Sequence, residues 1–153
     1  MHYQAIIPAP FGALGVSVAG GSLCGLEFLP AETPLQAPAD VTTQRICAQI
    51  QQYLLNPRSR LDMPLSADGT AFQQRVWQAL LAIPLGGTVT YAELAERVGS
   101  GARAVANACG ANPIALVIPC HRVVAKNGLG GFMQGRATDS LAIKRWLLAH
   151  EQR

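Results

Sequence analysis

The chain opens on short extended runs of apolar residues, Ala5-Ile6-Ile7, Leu14 to Val18 and Leu23 to Leu29. Gly20-Gly21 separates the last two, and such a pair predicts a hairpin because both residues accept positive φ. The apolar period then lengthens. Ile46, Ile50, Tyr53 and Leu54 share one face of a helix predicted from about Thr43 to Leu55 and stopped by Asn56-Pro57. A stretch rich in Pro, Ser, Arg and Asp follows from Asn56 to Gly69 and reads as a linker.

Beyond it the helical period dominates. Thr70-x-x-Gln73 is a capping box, with Phe72, Val76, Leu80 and Ile83 as the buried stripe, and Pro84 with Gly86-Gly87 as the stop. Thr90-Tyr91-Ala92-Glu93 is a second capping box, opening a short helix that turns Leu94, Ala95 and Val98 inward and ends at Gly99. After a break of at most Ser100 to Ala102, a further helix is predicted from Arg103 to Cys109, closed by Gly110. These elements predict an α/β protein: a sheet-plus-helix N-terminal domain over 1–67 with its linker, then a mainly helical domain over 68–153. Two short helices joined by a Gly-containing turn are also a helix-turn-helix signature.

Half of the residues are apolar, enough for a packed core in a chain of 153 residues. No run of about 20 apolar residues is present, and Met1-His2-Tyr3-Gln4 lacks the basic flank of a signal peptide. The expectation is therefore no membrane and a cytoplasmic location, nuclear in a eukaryote. Cys24, Cys47, Cys109 and Cys120 form no C-x-x-C pair, which argues against a disulfide framework and against a metal site.

Charge separates the halves. Residues 1–67 hold three Arg against four acids (−1), while 68–153 hold nine basic residues against five acids (+4). A polyanionic partner would therefore meet the second half, where Arg suits bidentate phosphate contact. In the second short helix Ala102, Ala104, Val105, Ala106 and Ala108 offer almost no hydrogen-bonding groups, and Arg103 projects alone from a smooth surface. Such a helix suits close, sequence-tolerant approach to a minor groove, with one long cation filling the space of an extruded base. An ordinary packed helix with one exposed Arg is the plainer reading.

Candidate chemistry centres on Cys120 in Ile118-Pro119-Cys120-His121-Arg122-Val123-Val124. An imidazole and a guanidinium beside a thiol favour thiolate over a free-Cys pKa of roughly 8.5. Adjacent side chains of a regular strand point to opposite faces, so Cys120 and His121 cannot pair directly unless Pro119 bends the chain or a water bridges them, and of the two a water relay is expected. His121 would need an orienting carboxylate, and spacing does not choose among Asp68, Glu93, Glu96, Asp139 and Glu151. A buried small hydrophobe and a satisfied core histidine are the bland alternatives.

Pro119-Cys120-His121-Arg122-Val123, preceded by Asn112-Pro113 and followed by Lys144-x-x-Leu147-Leu148-x-His150-Glu151, resembles the O6-alkylguanine-DNA alkyltransferases, the methylated-DNA–protein-cysteine methyltransferases. The match runs from about Phe72 to Glu151. The resemblance implies a ribonuclease H-like first domain and a winged helix-turn-helix-like second one. It implies irreversible, stoichiometric transfer of an alkyl group from O6-alkylguanine, and from O4-alkylthymine, in DNA to Cys120, without a cofactor. A lesion-binding protein without chemistry and a Cys-His hydrolase are the rival classes.

Carried over by position, Cys120 would be the alkyl acceptor, His121 the water-linked base and Glu151 the carboxylate that orients it. Asn112 would brace the active-site turn. Tyr91 would crowd the phosphate of the flipped nucleotide and protonate the departing guanine. Arg103 would fill the gap in the base stack from the minor groove, with Ala102 and Ala104 beside it. The carbonyls of Cys120 and Val123 would hold the exocyclic amine, and Val123, Phe132 and Met133 would border the alkyl pocket. The partner would be double-stranded DNA met by a monomer, with cooperative assembly left open. The chain departs from the family at Phe132 to Ser140, a segment several residues longer than usual, with Phe132-Met133 where many members carry Tyr-Ser.

Overall fold

A computed structural model describes residues 2–132 and 140–153. It is a mixed α/β chain that divides into two compact units, residues 1–68 with 113–115, and residues 69–112 with 116–153.

In the first unit, β1 (Ala5–Ala9), β2 (Gly12–Ala19) and β3 (Ser22–Leu29) form an antiparallel sheet in the order β1-β2-β3. The β2–β3 turn is Gly20-Gly21, with φ of 58° and 82°, and the Ala19↔Ser22 pair closes it as a two-residue hairpin. Alternation delivers Ala5, Ile7, Leu14 and Val16 to the core, and a bulge opposite Ser17–Val18 lets Leu23 and Leu26, three residues apart, both face inward. Helix α1 (Val41–Leu55) packs on β1 with Ile46, Ile50, Tyr53 and Leu54 buried. Its N-cap is Asp40, whose carboxylate accepts from the Thr43 N–H at 2.8 Å and the Thr43 hydroxyl at 2.9 Å.

The segment 56–69 is not the free linker that its composition suggests. Leu23 N–H donates to the Pro64 carbonyl, the Ser66 N–H donates to the Leu23 carbonyl, and Leu65 forms a parallel bridge to Leu23. Met63 is buried. Edge pairing with β3 satisfies backbone groups that composition does not reveal.

In the second unit, α2 (Ala71–Leu81), α3 (Tyr91–Val98) and α4 (Ala102–Gly110) pack against one another. Both expected capping boxes are present, Thr70 with Gln73 and Thr90 with Glu93, and Gly99 ends α3 at φ 71°. The buried face of α2 is Val76, Trp77 and Leu80, whereas Phe72 is only half-buried. Trp77 donates its indole N–H to the Ala108 carbonyl at 2.9 Å, which ties α2 to α4. Between α2 and α3 lies β4 (Val89–Thr90), paired in parallel with β5 (Val123–Val124). Helix α5 (Ser140–His150) buries Ile143, Lys144, Leu147 and His150. Two-residue strands lie below the length at which periodicity is readable, and α5 carries apolar residues on more than one face and buries Lys144 and His150, so no clear stripe marks it.

Candidate active site

Pro119 sets the local path. Its φ of −83° and ψ of 65° are those of an inverse γ-turn, closed by the Cys120 N–H donating to the Ile118 carbonyl at 2.8 Å. The same carbonyl accepts from Asn112 Nδ2 at 2.8 Å, so both of its lone pairs are engaged, and Asn112 is fully buried. Asn112 thus braces the turn that presents Cys120.

Cys120, His121 and Arg122 form one turn of 3₁₀ helix, not the extended strand expected from the flanking apolar run. With three residues per turn, successive side chains diverge by about 120°. Cys120 lines a cleft of about 440 Å³ together with Tyr91, Asn107, Cys109, Gly131 and Phe132. His121 is buried elsewhere on the turn, where its Nε2 lies 2.9 Å from Glu151 Oε2 with both side chains out of water. Of the candidate carboxylates, Glu151 is therefore the one that meets His121; Asp139 lies outside the described residues.

A neutral His121 donating from Nε2 keeps Nδ1 as an acceptor, and Nδ1 has no hydrogen-bond partner among the described residues. Burial holds the His121 pKa below its ordinary value, outweighing the opposing pull of Glu151. The imidazole is thus neutral, with an unused basic nitrogen.

Arg122, whose guanidinium the sequence reading set beside the thiol to favour thiolate, is directed instead to Glu151 and the Ile83 carbonyl. Its Nε donates to Glu151 Oε1 at 2.8 Å and its Nη2 to Glu151 Oε2 at 2.9 Å, a bidentate fork. Its Nη1 donates to the Ile83 carbonyl at 2.8 Å. Arg122 therefore neutralises and aims the carboxylate that aims His121.

Lys144 is a site residue that motif reading quoted without assigning. Its Nζ is buried and donates to the carbonyls of Val123, Leu129 and Gly131, exhausting the three ammonium donors. Burial pulls its pKa down to about 8, against the attraction of Cys120 and Cys109. The Nζ lies 5.9 Å from the Tyr91 ring centroid, within cation–π range.

Tyr91 begins α3 immediately after β4, one residue beyond the Thr90↔Val124 pair, and lines the same cleft as Cys120. Its hydroxyl donates to the Gly131 carbonyl at 3.3 Å. Burial, with smaller contributions from Cys109 and Cys120, raises its pKa to about 12, so the phenol holds its proton. Gly130 sits beneath it at φ 72°, where a Cβ would lie 2.8 Å from Tyr91 Cε2.

Among the expected pocket residues, Phe132 lines the cleft and is buried. Val123 does not line it: its side chain is fully buried, because β5 turns it inward against β4. Its carbonyl takes Lys144, and the Cys120 carbonyl takes the Val123 N–H. Met133 lies outside the described residues. Ala102, Arg103 and Ala104 are exposed at the start of α4, and Arg103 makes no hydrogen bond or ion pair among the described residues. Within the described residues no cluster of His, Cys, Asp or Glu is arranged to hold a metal, and no helix is long and apolar enough to cross a membrane.

A family model described as 6-O-methylguanine DNA methyltransferase, DNA binding domain, matches residues 71–153. The methylated-DNA–protein-cysteine methyltransferase of Methanosarcina barkeri is 36% identical over 99% of this chain and 98% of its own length. The Regulatory protein ada of Salmonella typhimurium is 48% identical over 71% of this chain. The chain matches only 31% of that relative's length, and 60% of the length of a probable methyltransferase of Acanthamoeba polyphaga mimivirus. Among solved structures, Mycobacterium tuberculosis OGT in complex with DNA aligns with a TM-score of 0.81 at 37% identity, covering 96% of this chain and 91% of that one.

Proposed function

The chain belongs to the 6-O-methylguanine DNA methyltransferase family, and from that premise we propose that it repairs DNA by moving an alkyl group from O6-alkylguanine to Cys120, once per molecule. The observation that carries this reading is the buried His121–Glu151 pair beside a cleft-lining Cys120. His121 Nδ1 accepts the thiol proton through a water, and the Glu151–Arg122 fork stabilises the imidazolium that forms. The Cys120 sulfur then bonds to the alkyl carbon as the carbon–O6 bond breaks, and its electron pair leaves with guanine. Tyr91, which keeps its proton, supplies it to the departing base. The product is a thioether, which water does not cleave, so turnover stops at one.

Asn112 acts through the Pro119 turn, and the backbone around Cys120 and Val123 faces the guanine amine with its remaining acceptor capacity. Phe132 borders the alkyl group, with Met133 as the further candidate. The exposed start of α4 serves as the minor-groove contact: Ala102 and Ala104 permit close approach and Arg103 takes the place of the flipped nucleotide. The likeness to a solved relative in complex with DNA supports this surface. A ribonuclease H-like first unit, a winged helix-turn-helix second unit, action as a monomer on duplex DNA in the cytoplasm, and acceptance of O4-alkylthymine complete the reading.

The test is incubation with a duplex carrying radiolabelled O6-methylguanine. Equimolar, saturating label on the protein, abolished by Cys120→Ala, is expected. Tight lesion binding without label would mean a non-catalytic damage-binding protein, and repeated acyl hydrolysis without label would mean a Cys-His hydrolase; either overturns the proposal.

A further inference from the structure

The proposed transfer uses one thiol, yet the cleft contains two. Cys109, in the last turn of α4, lines the same cleft as Cys120 and is 5% exposed. Three hydrogen bonds tie the two backbones together. The Asn112 N–H donates to the Cys109 carbonyl, Asn112 Nδ2 donates to the Ile118 carbonyl, and the Cys120 N–H donates to that same carbonyl. Both thiols are reduced and neither is engaged by Cys24 or Cys47.

We propose that Cys109 is a resolving thiol: under peroxide it closes a reversible disulfide with Cys120 that masks the acceptor and spares it from irreversible oxidation. The bond itself is independent of the alkyl-transfer reading, whereas its consequence for repair rests on that reading.

The chemistry assigns different roles to the two sulfurs. Cys120, the thiol served by the proposed water relay from His121, attacks the peroxide. The O–O bond breaks, and Cys120 becomes a sulfenic acid as one water leaves. Cys109 then attacks the sulfenic sulfur, the S–S bond forms, and the hydroxyl departs as a second water with the Cys109 proton. Two thiols lose two electrons and one peroxide becomes two waters. Burial, together with the Cys120 charge, raises the Cys109 thiol to about 12, with Lys144 pulling the other way. That makes Cys109 a poor first nucleophile, suited to wait for an electrophilic partner.

Trypsin releases both thiols in one peptide, residues 104–122, because no Lys or Arg stands between Arg103 and Arg122. The full chain is treated with hydrogen peroxide, quenched with N-ethylmaleimide and digested without reductant. The expected 104–122 peptide carries no maleimide and has lost two hydrogens, and dithiothreitol restores two labelled thiols. In parallel, alkyl transfer falls to background with peroxide and returns with dithiothreitol. Cys109→Ala, compared with its own reduced level, should lose transfer irreversibly and accumulate Cys120 sulfinic acid. Two maleimides on the oxidised peptide, a link to a peptide bearing Cys24 or Cys47, or full recovery of peroxide-treated Cys109→Ala would each overturn the proposal. A linked peptide in a protein that shows no alkyl transfer at all would instead defeat the functional reading while leaving the disulfide intact.

Discussion

Arg122 holds Glu151 by a two-pronged fork while His121 takes the same carboxylate from a third direction, all with Glu151 nearly sealed from water. Removing the carboxylate charge would leave Arg122 without its anion and His121 without its orienter. Glu151→Gln should slow single-turnover alkyl transfer by on the order of 10²-fold, the scale of one acid–base group. It should also destabilise the protein by about 3 kcal/mol, because a guanidinium is left partly buried and unpaired. Rapid-quench transfer assays and urea unfolding read the two effects separately; an unchanged rate would remove Glu151 from the relay.

The buried imidazole makes stability pH-dependent in a defined direction. The unfolded chain takes up a proton on His121 near its ordinary value of 6.5, while burial keeps the folded imidazole neutral to lower pH. Protons then favour the unfolded state, so stability should fall as pH drops below about 6.5, and this component should be missing in His121→Gln. Thermal melts of the two proteins across that range, taken as a difference, give the measurement. A difference that grows in the opposite sense would mean that His121 is protonated in the fold.

Exposure separates Arg103 from the rest of the site. Since it has no partner among the described residues, Arg103→Ala should leave stability within about 0.5 kcal/mol. Transfer from duplex DNA should drop sharply, whereas transfer from free O6-methylguanine base, which needs no flipping, should keep its wild-type level. Equal losses on both substrates would place Arg103 in the chemistry instead.

Lys144 tests the opposite case, a buried group with every donor used. Lys144→Met strands the carbonyls of Val123 and Leu129, leaves Gly131 with the Tyr91 hydroxyl alone, and should cost about 3 kcal/mol in chemical denaturation. A neutral effect would show that those carbonyls find water in its absence.

The legible parts of this molecule are those where one residue type has one physical use. Gly20-Gly21, Thr70 with Gln73, Thr90 with Glu93 and Gly99 each announce a turn or cap, and each occurs where its chemistry predicts. The Cys120 turn was legible by composition but not by geometry, because Pro119 converts an apolar run into a γ-turn and a 3₁₀ turn. Glu151 could not be chosen by spacing, since its partner His121 is 30 residues away and only the packing of α5 unites them. Trp77 and Lys144 were missed for a related reason: each is held by backbone carbonyls from distant segments, which carry no side-chain signature.

That dependence on main-chain oxygens has an evolutionary consequence. Every residue type offers the same carbonyl, so the positions that hold Lys144 can exchange side chains over generations without loosening it. Gly130, pressed against Tyr91, is the exception within that span. Mutational tolerance around the cleft should accordingly be broad at 129, narrow at 130, and least at 144 itself, an imprint that lineages of this chain would carry long after their loops had diverged.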